Sequence, residues 1–570
     1  MREFSRAVIL VLCAALPVFG QQKVKPPPTR MALPSDSVQA PGGQPQPAAA
    51  ESEKPELELP EVLIQGTDRI VRLTNEKESV VPDNPALVRP DTPPQVISSW
   101  FQLQAAKPRY QATGPVVRRS TWGHLQGGSY ATFTGDLGHW QEFGALTLHG
   151  RGWLDRSAGQ YRNSQYTRGG LELHSDYHVN SRLTTSVEGG YRQSGIGLQT
   201  AALTGQTRTG GTGTLGAGLQ WDVAGNTTFQ GRVHFGSTRL TSDTNATELD
   251  RTEDGWSEAS GELVSQILGF QLGARGRYLR ETLRRPGAAW ENSASFGEAG
   301  IESLFPLSGA LSAGIGVNYH AVTTDSLGAA NRVSPFGRIN FVPGNWLGIS
   351  ATVYSGYDYE TFTQRWRENP YAAHALPLRP EETSLGWKVS VEYRMTEALG
   401  IHAGIDYSAM NTLYYWQRDP ATGYFTARDA GEVRIVQVQG GVTWQPGDWL
   451  DLRASLVTYS ASYPTSSPLT GSAFIPYRPQ VSVPLQATLS LPSAFQLTVD
   501  GEITGPREVG FGGVPALSGY DLLNASISRT FAEKYTVLLS ATNLLNIPYI
   551  TWEQYSEPGI RVFLGVKAKF

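Results

Sequence analysis

Histidines, paired carboxylates and nucleophilic side chains are the residues that do chemistry, and in this 570-residue chain they do not gather into a catalytic pattern. The closest histidines, His174 and His178, would stand roughly 13 Å apart along an extended segment, too far to share one metal ion. His234 and His402 read as ordinary polar residues of the same kind. No glycine-rich phosphate loop and no nucleophile elbow is present. No catalytic, metal-binding or cofactor-binding residue is assigned, and the chain reads as a non-enzyme. The aromatic residues of two polar stretches are better candidates: Trp366 and Tyr371 in one, and Tyr414, Tyr415, Trp416 and Tyr424 in or beside the other. Rigid amphipathic rings suit capture of a ligand or partner; an interfacial aromatic girdle with loop packing accounts for them better. A third group is ionic. Arg192, Arg232, Lys388, Arg394, Arg453, Lys567 and Lys569 are offset by Glu172, Glu188, Glu392 and Asp451, the mixture of a hydrated wall and not of a charge-selective one.

These residues must be positioned by strands. In residues 561–570, Val562, Leu564, Val566, Ala568 and Phe570 share one face, and Arg561, Gly565, Lys567 and Lys569 the other. One face suits lipid and the other water. A strand ending in an aromatic residue cannot be left as an edge in a bilayer, so it must close onto an earlier strand. The same period of two recurs upstream: Leu183, Val187 and Tyr191 against Thr184, Ser186, Glu188 and Arg192; Phe229, Val233 and Phe235 against Gln230, Arg232 and His234. A soluble sandwich alternates too, but its inward set does not carry repeated charges. The connections also alternate, short ones such as Asn180-Ser181, Ala224-Gly225-Asn226 and Pro446-Gly447-Asp448 with long polar ones near 155–166, 194–207, 241–253, 283–292, 322–332, 360–382, 416–430, 462–478, 506–517 and 546–558. That rhythm predicts an all-β chain: a transmembrane antiparallel outer-membrane β-barrel of about 22 strands over residues 116–570. A mean hydropathy of -0.28 agrees, since such barrels spread apolar residues over alternate positions.

The front of the chain differs in kind. Residues 1–20, with Arg2, Arg6 and an apolar run to Leu16, read as a secretory leader, and the single cysteine, Cys13, lies within it. Residues 21–60 are rich in Pro, Ala, Gln and Glu and read as a disordered periplasmic tether. Residues 61–115 form a further periplasmic segment, in which Val62, Leu63 and Ile64 read as a short strand available to a periplasmic partner. The net charge of -4 gives no reason to expect a nucleic-acid partner. The localisation expected is the outer membrane of a Gram-negative-type bacterium, with lipid around the barrel and the extension in the periplasm.

An ordered set of motifs carries a resemblance. Leu378-Arg379-Pro380-Glu381-Glu382-Thr383-Ser384-Leu385-Gly386-Trp387, Gly519-Tyr520-Asp521-Leu522-Leu523-Asn524-Ala525-Ser526, Ala541-Thr542-Asn543-Leu544-Leu545-Asn546-Ile547-Pro548-Tyr549 and Pro558-Gly559 before the last strand resemble the barrel of TonB-dependent receptors. Gly127-Gly128-Ser129-Tyr130 is similar to the family's first hairpin. The resemblance covers residues 115–570 and implies a transport barrel that binds or passes a small solute, with a TonB-like periplasmic partner. It also makes Phe570 the signal read by the barrel-assembly machinery. The chain departs from the family in lacking a stretch that resembles the globular plug, so the barrel part alone is matched. A structural or interaction barrel with partner-binding extracellular loops is the alternative.

Overall fold

A computed structural model describes residues 119–570, apart from residues 204, 245–246, 289, 326–327, 466, 468 and 511–514. The leader, the tether and the Val62-Leu63-Ile64 motif lie outside the described residues. The described chain forms one antiparallel sheet of 22 strands that closes on itself. Strand β1 (Arg119–Gly128) pairs with β2 (Thr132–Phe143) on one side and with the last strand, β26 (Arg561–Lys569), on the other. At the seam, reciprocal backbone bonds of 2.9 and 2.7 Å join Thr121 and Phe570. Closure leaves no row of unpaired amides facing lipid, which is the condition a membrane barrel must meet.

Alternate residues separate two solvents. Ile301, Val333 and Leu564 are more than 60% exposed on the outer face, where hydrocarbon replaces water. Inward positions are ionic and largely paired: Arg151 with Asp136 at 2.7 Å, Arg192 with Glu172 at 2.6 Å, Arg275 with Glu298 at 2.8 Å and Arg453 with Asp451 at 2.8 Å. The mixed-charge wall expected from the sequence is therefore present. At one end the strands join through short turns. Leu268 and Gly269 turn with φ of 53° and 83°, the handedness that matches strand twist. Ala532 and Glu533 adopt φ of 48° and 57° without a glycine, at a cost of roughly 1 kcal/mol or more each.

Three stretches expected as long loops are instead mostly strand. Strand β7 (Thr227–Thr244) and β8 (Thr247–Ile267) run almost into one another; β9 (Phe270–Arg285) and β10 (Trp290–Pro306) enter the second expected loop from both sides and leave only a short turn between them; β12 (Gly328–Gly344) begins within the third. The reason is overhang. A barrel strand needs roughly 9–11 residues to cross a membrane, whereas β8 has 21. Above the outward Phe235 and Tyr278 the outer face turns polar, with Arg239, Glu253, Arg280 and Arg284, so strand that stands in water has the composition of a loop.

Candidate functional site

The long loop of residues 359–380 joins β13 (Leu347–Asp358) to β14 (Glu381–Arg394) and folds back into the barrel mouth. Its Thr361-Phe362-Thr363-Gln364 sequence writes a capping box. The Thr361 amide donates to Gln364 Oε1 at 2.8 Å and the Gln364 amide donates to Thr361 Oγ1 at 3.2 Å, which starts helix α1 (Phe362–Glu368). The apolar side of α1, Phe362 and Trp366, is buried in one cluster with Leu240, Leu279, Leu283, Phe296 and Val322 of the inner wall. Gly210 makes this approach possible: a Cβ there would lie 2.0 Å from the Trp366 ring.

Polar contacts fix the docked loop to the wall. Glu281, on β9 and fully buried, accepts from the Phe362 amide at 2.6 Å and from the Tyr359 hydroxyl. Asp254, on β8, accepts from Thr363 Oγ1 at 2.6 Å. Arg208, on β6 (Gln206–Ala224), donates to the Pro370 carbonyl at 3.1 Å and to the Ala372 carbonyl, and lies over the Tyr424 ring at 4.4 Å. His374 of the loop sits between Ser242 at 2.8 Å and Thr252 at 2.9 Å. Thr252 spends its single hydroxyl proton on the His374 carbonyl at 2.9 Å, so the imidazole must donate from Nδ1 and accept at Nε2. That is the neutral ring. Burial, then Arg208 and Arg285, lowers its pKa to about 2.

A second layer completes the cap. Hairpin β16 (Tyr414–Arg418) and β17 (Phe425–Asp429) takes the loop as an added strand, through Ala373 N to Phe425 O at 2.6 Å and Phe425 N to Tyr371 O at 3.0 Å. Hairpin β24 (Tyr549–Trp552) and β25 (Tyr555–Glu557) meets it from another side, with Tyr371 and Tyr555 stacked at 3.5 Å and Trp552 packed on Phe425 at 5.1 Å and Tyr477 at 5.0 Å. Arg507 donates to the Thr551 carbonyl at 3.0 Å, and Arg418 pairs with Glu553 at 2.7 Å. Gln199, in the connection that precedes β6, accepts from the Ser556 amide at 3.1 Å, and Gln160 from the Gly559 amide at 2.6 Å. Contacts thus run from the wall at β6–β9 through the loop and both hairpins and back to the rim.

The six aromatic residues singled out in the sequence all belong to this cap. Trp366, Tyr415 and Trp416 are buried in packing, and Tyr371 and Tyr424 join the loop to its neighbours. Tyr414, Tyr415 and Trp416 also line a cavity of about 100 Å³ with Arg365, Arg478 and Trp552. Burial, offset by Arg365, pushes the Tyr414 hydroxyl up to about 12, so it remains a donor at neutral pH. Glu281, Asp254 and Arg208 were not legible beforehand, because nothing local marks them; the Thr361-to-Gln364 capping box was the available signal.

Below α1 a larger cavity of about 550 Å³ is lined by inward residues of the wall. Strand pairing sets His149, His174 and Glu188 at one level, and Gly216 opens a path from Glu188 to His234 at 2.8 Å. His174 lies 3.6 Å from the same carboxylate. The sequence separated these residues; register assembles them. Among the described residues no group of three His, Cys, Asp or Glu is placed to hold a metal ion.

No protein-family model matches the sequence, and no curated protein matches it. Solved structures do match. A copper transporter, OprC, superposes with a TM-score of 0.65 at 12% identity, covering 80% of both chains. The FrpB iron transporter from Neisseria meningitidis gives 0.65 at 9%, over 79% of this chain and 81% of its own. The ferric-catecholate import receptor Fiu from E. coli K12 gives 0.63 at 10%, over 80% and 82%. The chain has the barrel fold of TonB-dependent receptors. Its 22 strands agree with the count expected from the alternation of short and long connections. In this TonB-dependent-receptor-type barrel one mouth is spanned by the chain's own loops.

Proposed function

We propose that this protein is an outer-membrane transport barrel that binds or passes a small solute behind an extracellular gate formed by residues 359–380. The observation that carries this reading is an ionic, water-suited lumen closed on one side by a loop docked through hydrogen bonds. A wall of paired charges keeps the lumen hydrated, which is what binding or passage of a polar solute needs. The names of the similar structures, a copper transporter, an iron transporter and a ferric-catecholate receptor, make metal ions and metal chelates the first solutes to test. Tyr414, Tyr415 and Trp416, at the 100 Å³ cavity, are proposed as the ligand contacts; Trp366, Tyr371 and Tyr424 position the cap.

Val62, Leu63 and Ile64 are proposed to add as a strand to a TonB-like periplasmic protein, which would supply energy coupling; backbone hydrogen bonds would give the affinity. Leu63→Pro should abolish that pairing. The test of ligand binding is saturable tryptophan quenching of the purified protein by Cu²⁺ or a ferric tris-catecholate. Quenching at micromolar ligand, weakened at least tenfold in a Tyr414→Ala/Trp416→Ala variant, supports the reading. An interaction barrel would show no saturable quenching.

A further inference from the structure

Asp254 and Glu281 are two buried carboxyl groups that face each other where helix α1 meets the wall. Both oxygens of Glu281 are already acceptors, one for the Phe362 amide and one for the Tyr359 hydroxyl. Asp254 Oδ2 accepts from Thr363. Asp254 Oδ1 is buried, and no side-chain or backbone donor reaches it. Its neighbour within hydrogen-bond reach is Glu281. Two carboxylates can share a hydrogen bond only if one of them carries a proton. The remaining hydroxyls order the chain. Thr363 donates to Asp254 and so must accept from Thr238, 2.6 Å away, which in turn accepts from Thr212 at 2.9 Å. The sequence Thr212 to Thr238 to Thr363 to Asp254 to Glu281 is complete only when one of the two carboxyls carries a proton and shares it with the other across Asp254 Oδ1.

On the same strands, the nearby cations are engaged elsewhere: Arg285 pairs with Asp250 at 2.7 Å and Arg277 with Glu258 at 2.8 Å. The register partners on the flanking strands, Thr238 of β7 and Ala294 of β10 (Trp290–Pro306), are neutral. From the loop, Arg365 donates to the Pro377 and Arg379 carbonyls at 2.9 and 2.7 Å, Tyr359 is the donor already counted, and His374 lies against Thr252 and Ser242. Asp254 and Glu281 stand above the level at which the outer face turns from Tyr278 to Arg280 and Arg284, in the part of the barrel that projects from the membrane.

We propose that Asp254 and Glu281 form a proton latch: the gate loop docks only with a proton shared between the two carboxyls, and loss of that proton releases the loop and opens the mouth. Undocked, the solvated carboxyls give up their protons at about pH 4; docked, burial raises Asp254 to about 6 and Glu281 well above the usual carboxylate range. Stabilisation of the docked loop by the pair is complete at acid pH and is lost as pH rises through these values. His374 acts in the opposite sense below about pH 6.5, where the undocked ring protonates and the docked ring does not. It offsets one of the two carboxyl protons up to that pH, so docking weakens from about pH 5 and continues to weaken above about pH 6.5.

The inference rests on the docked loop and not on the transport reading, and its test needs no solute. Ala372, a fully buried residue of the loop, is replaced by cysteine, and its rate of labelling by a water-soluble maleimide is divided by that of a cysteine at the exposed Thr422. In the otherwise unchanged chain the ratio should rise at least tenfold between pH 5 and pH 9. Asp254→Asn keeps every bond, since the amide donates to Glu281 and accepts from Thr363; it should label slowly at all alkaline pH. Glu281→Gln places a donor against the Phe362 amide or the Tyr359 hydroxyl and should label fast throughout. Heat-modifiable migration on gels shows that each barrel has folded. A ratio that does not rise between pH 5 and pH 9, or that rises equally in Asp254→Asn, overturns the proposal.

Discussion

At the scale of single residues, the cap depends on fixed hydrogen-bond geometry as much as on ion pairs such as Arg418–Glu553. Arg208 is the clearest case: Nη1 of its guanidinium donates to two backbone carbonyls, Pro370 and Ala372, while Nε donates to Ser242, a spread of donors that the single ammonium of lysine cannot reproduce. Arg208→Ala should weaken loop docking by roughly 1–3 kcal/mol, since it leaves buried carbonyls without donors, while the barrel keeps its heat-modifiable migration. Arg208→Lys should fall between the two. His374 makes a second prediction. Its pKa of about 2 when docked, against about 6.5 when solvated, means that acid favours release through this ring. In the unchanged chain that limb is hidden by the carboxyl pair. In Asp254→Asn it should emerge, with Ala372→Cys labelling rising as pH falls below about 6.5, and a further His374→Asn change should remove it. Flat labelling down to pH 4 in Asp254→Asn would show that the ring is not neutral when docked.

At the scale of elements, the strands obey one rule and the cap obeys another, and this divides what the sequence reveals. Val562, Leu564 and Val566 had to face lipid whatever their neighbours, so period two alone places β26 and its closure onto β1. The aromatic loop residues could be noticed but not placed, because Trp366 is buried only where Gly210 leaves room for it, some 150 residues away in sequence. His149, His174 and Glu188 come level only through pairing register, which no single strand encodes. The overhanging ends of β7, β8 and β9 were misplaced for the converse reason: strand in water is patterned like loop. The closing strand gives a test at this scale. Phe570 exchanges backbone bonds with Thr121 and packs edge-on against Tyr535 at 5.8 Å. Phe570→Asp puts a charge on the lipid face at the seam and should reduce the folded, heat-modifiable form severely. Normal amounts of it would show that neither insertion nor closure depends on this ring.

At the scale of the whole molecule, the question is which part of the chain keeps a 22-strand barrel from leaking. Such a barrel encloses a lumen that is plugged in most membrane proteins of this size. Here the mouth is spanned by residues 359–380 and the two hairpins, so removal of the N-terminal extension alone should not open it. Planar-bilayer conductance of four proteins separates the contributions: the mature chain, a chain without residues 21–112, a chain with residues 361–378 replaced by a short Gly-Ser linker, and the double variant. The mature chain and the N-terminal deletion should both conduct little near pH 6. Replacement of the loop should give large, steady conductance if the cap is the main seal. If conductance appears only in the double variant, the N-terminal extension also fills the lumen from the periplasmic side. Opening by the N-terminal deletion alone would show that the cap does not seal, because the docked loop is untouched in that protein. A double variant that remains closed would remove the channel reading altogether, since neither end of the chain would then account for the block, and would leave a barrel whose outward loops serve partner binding.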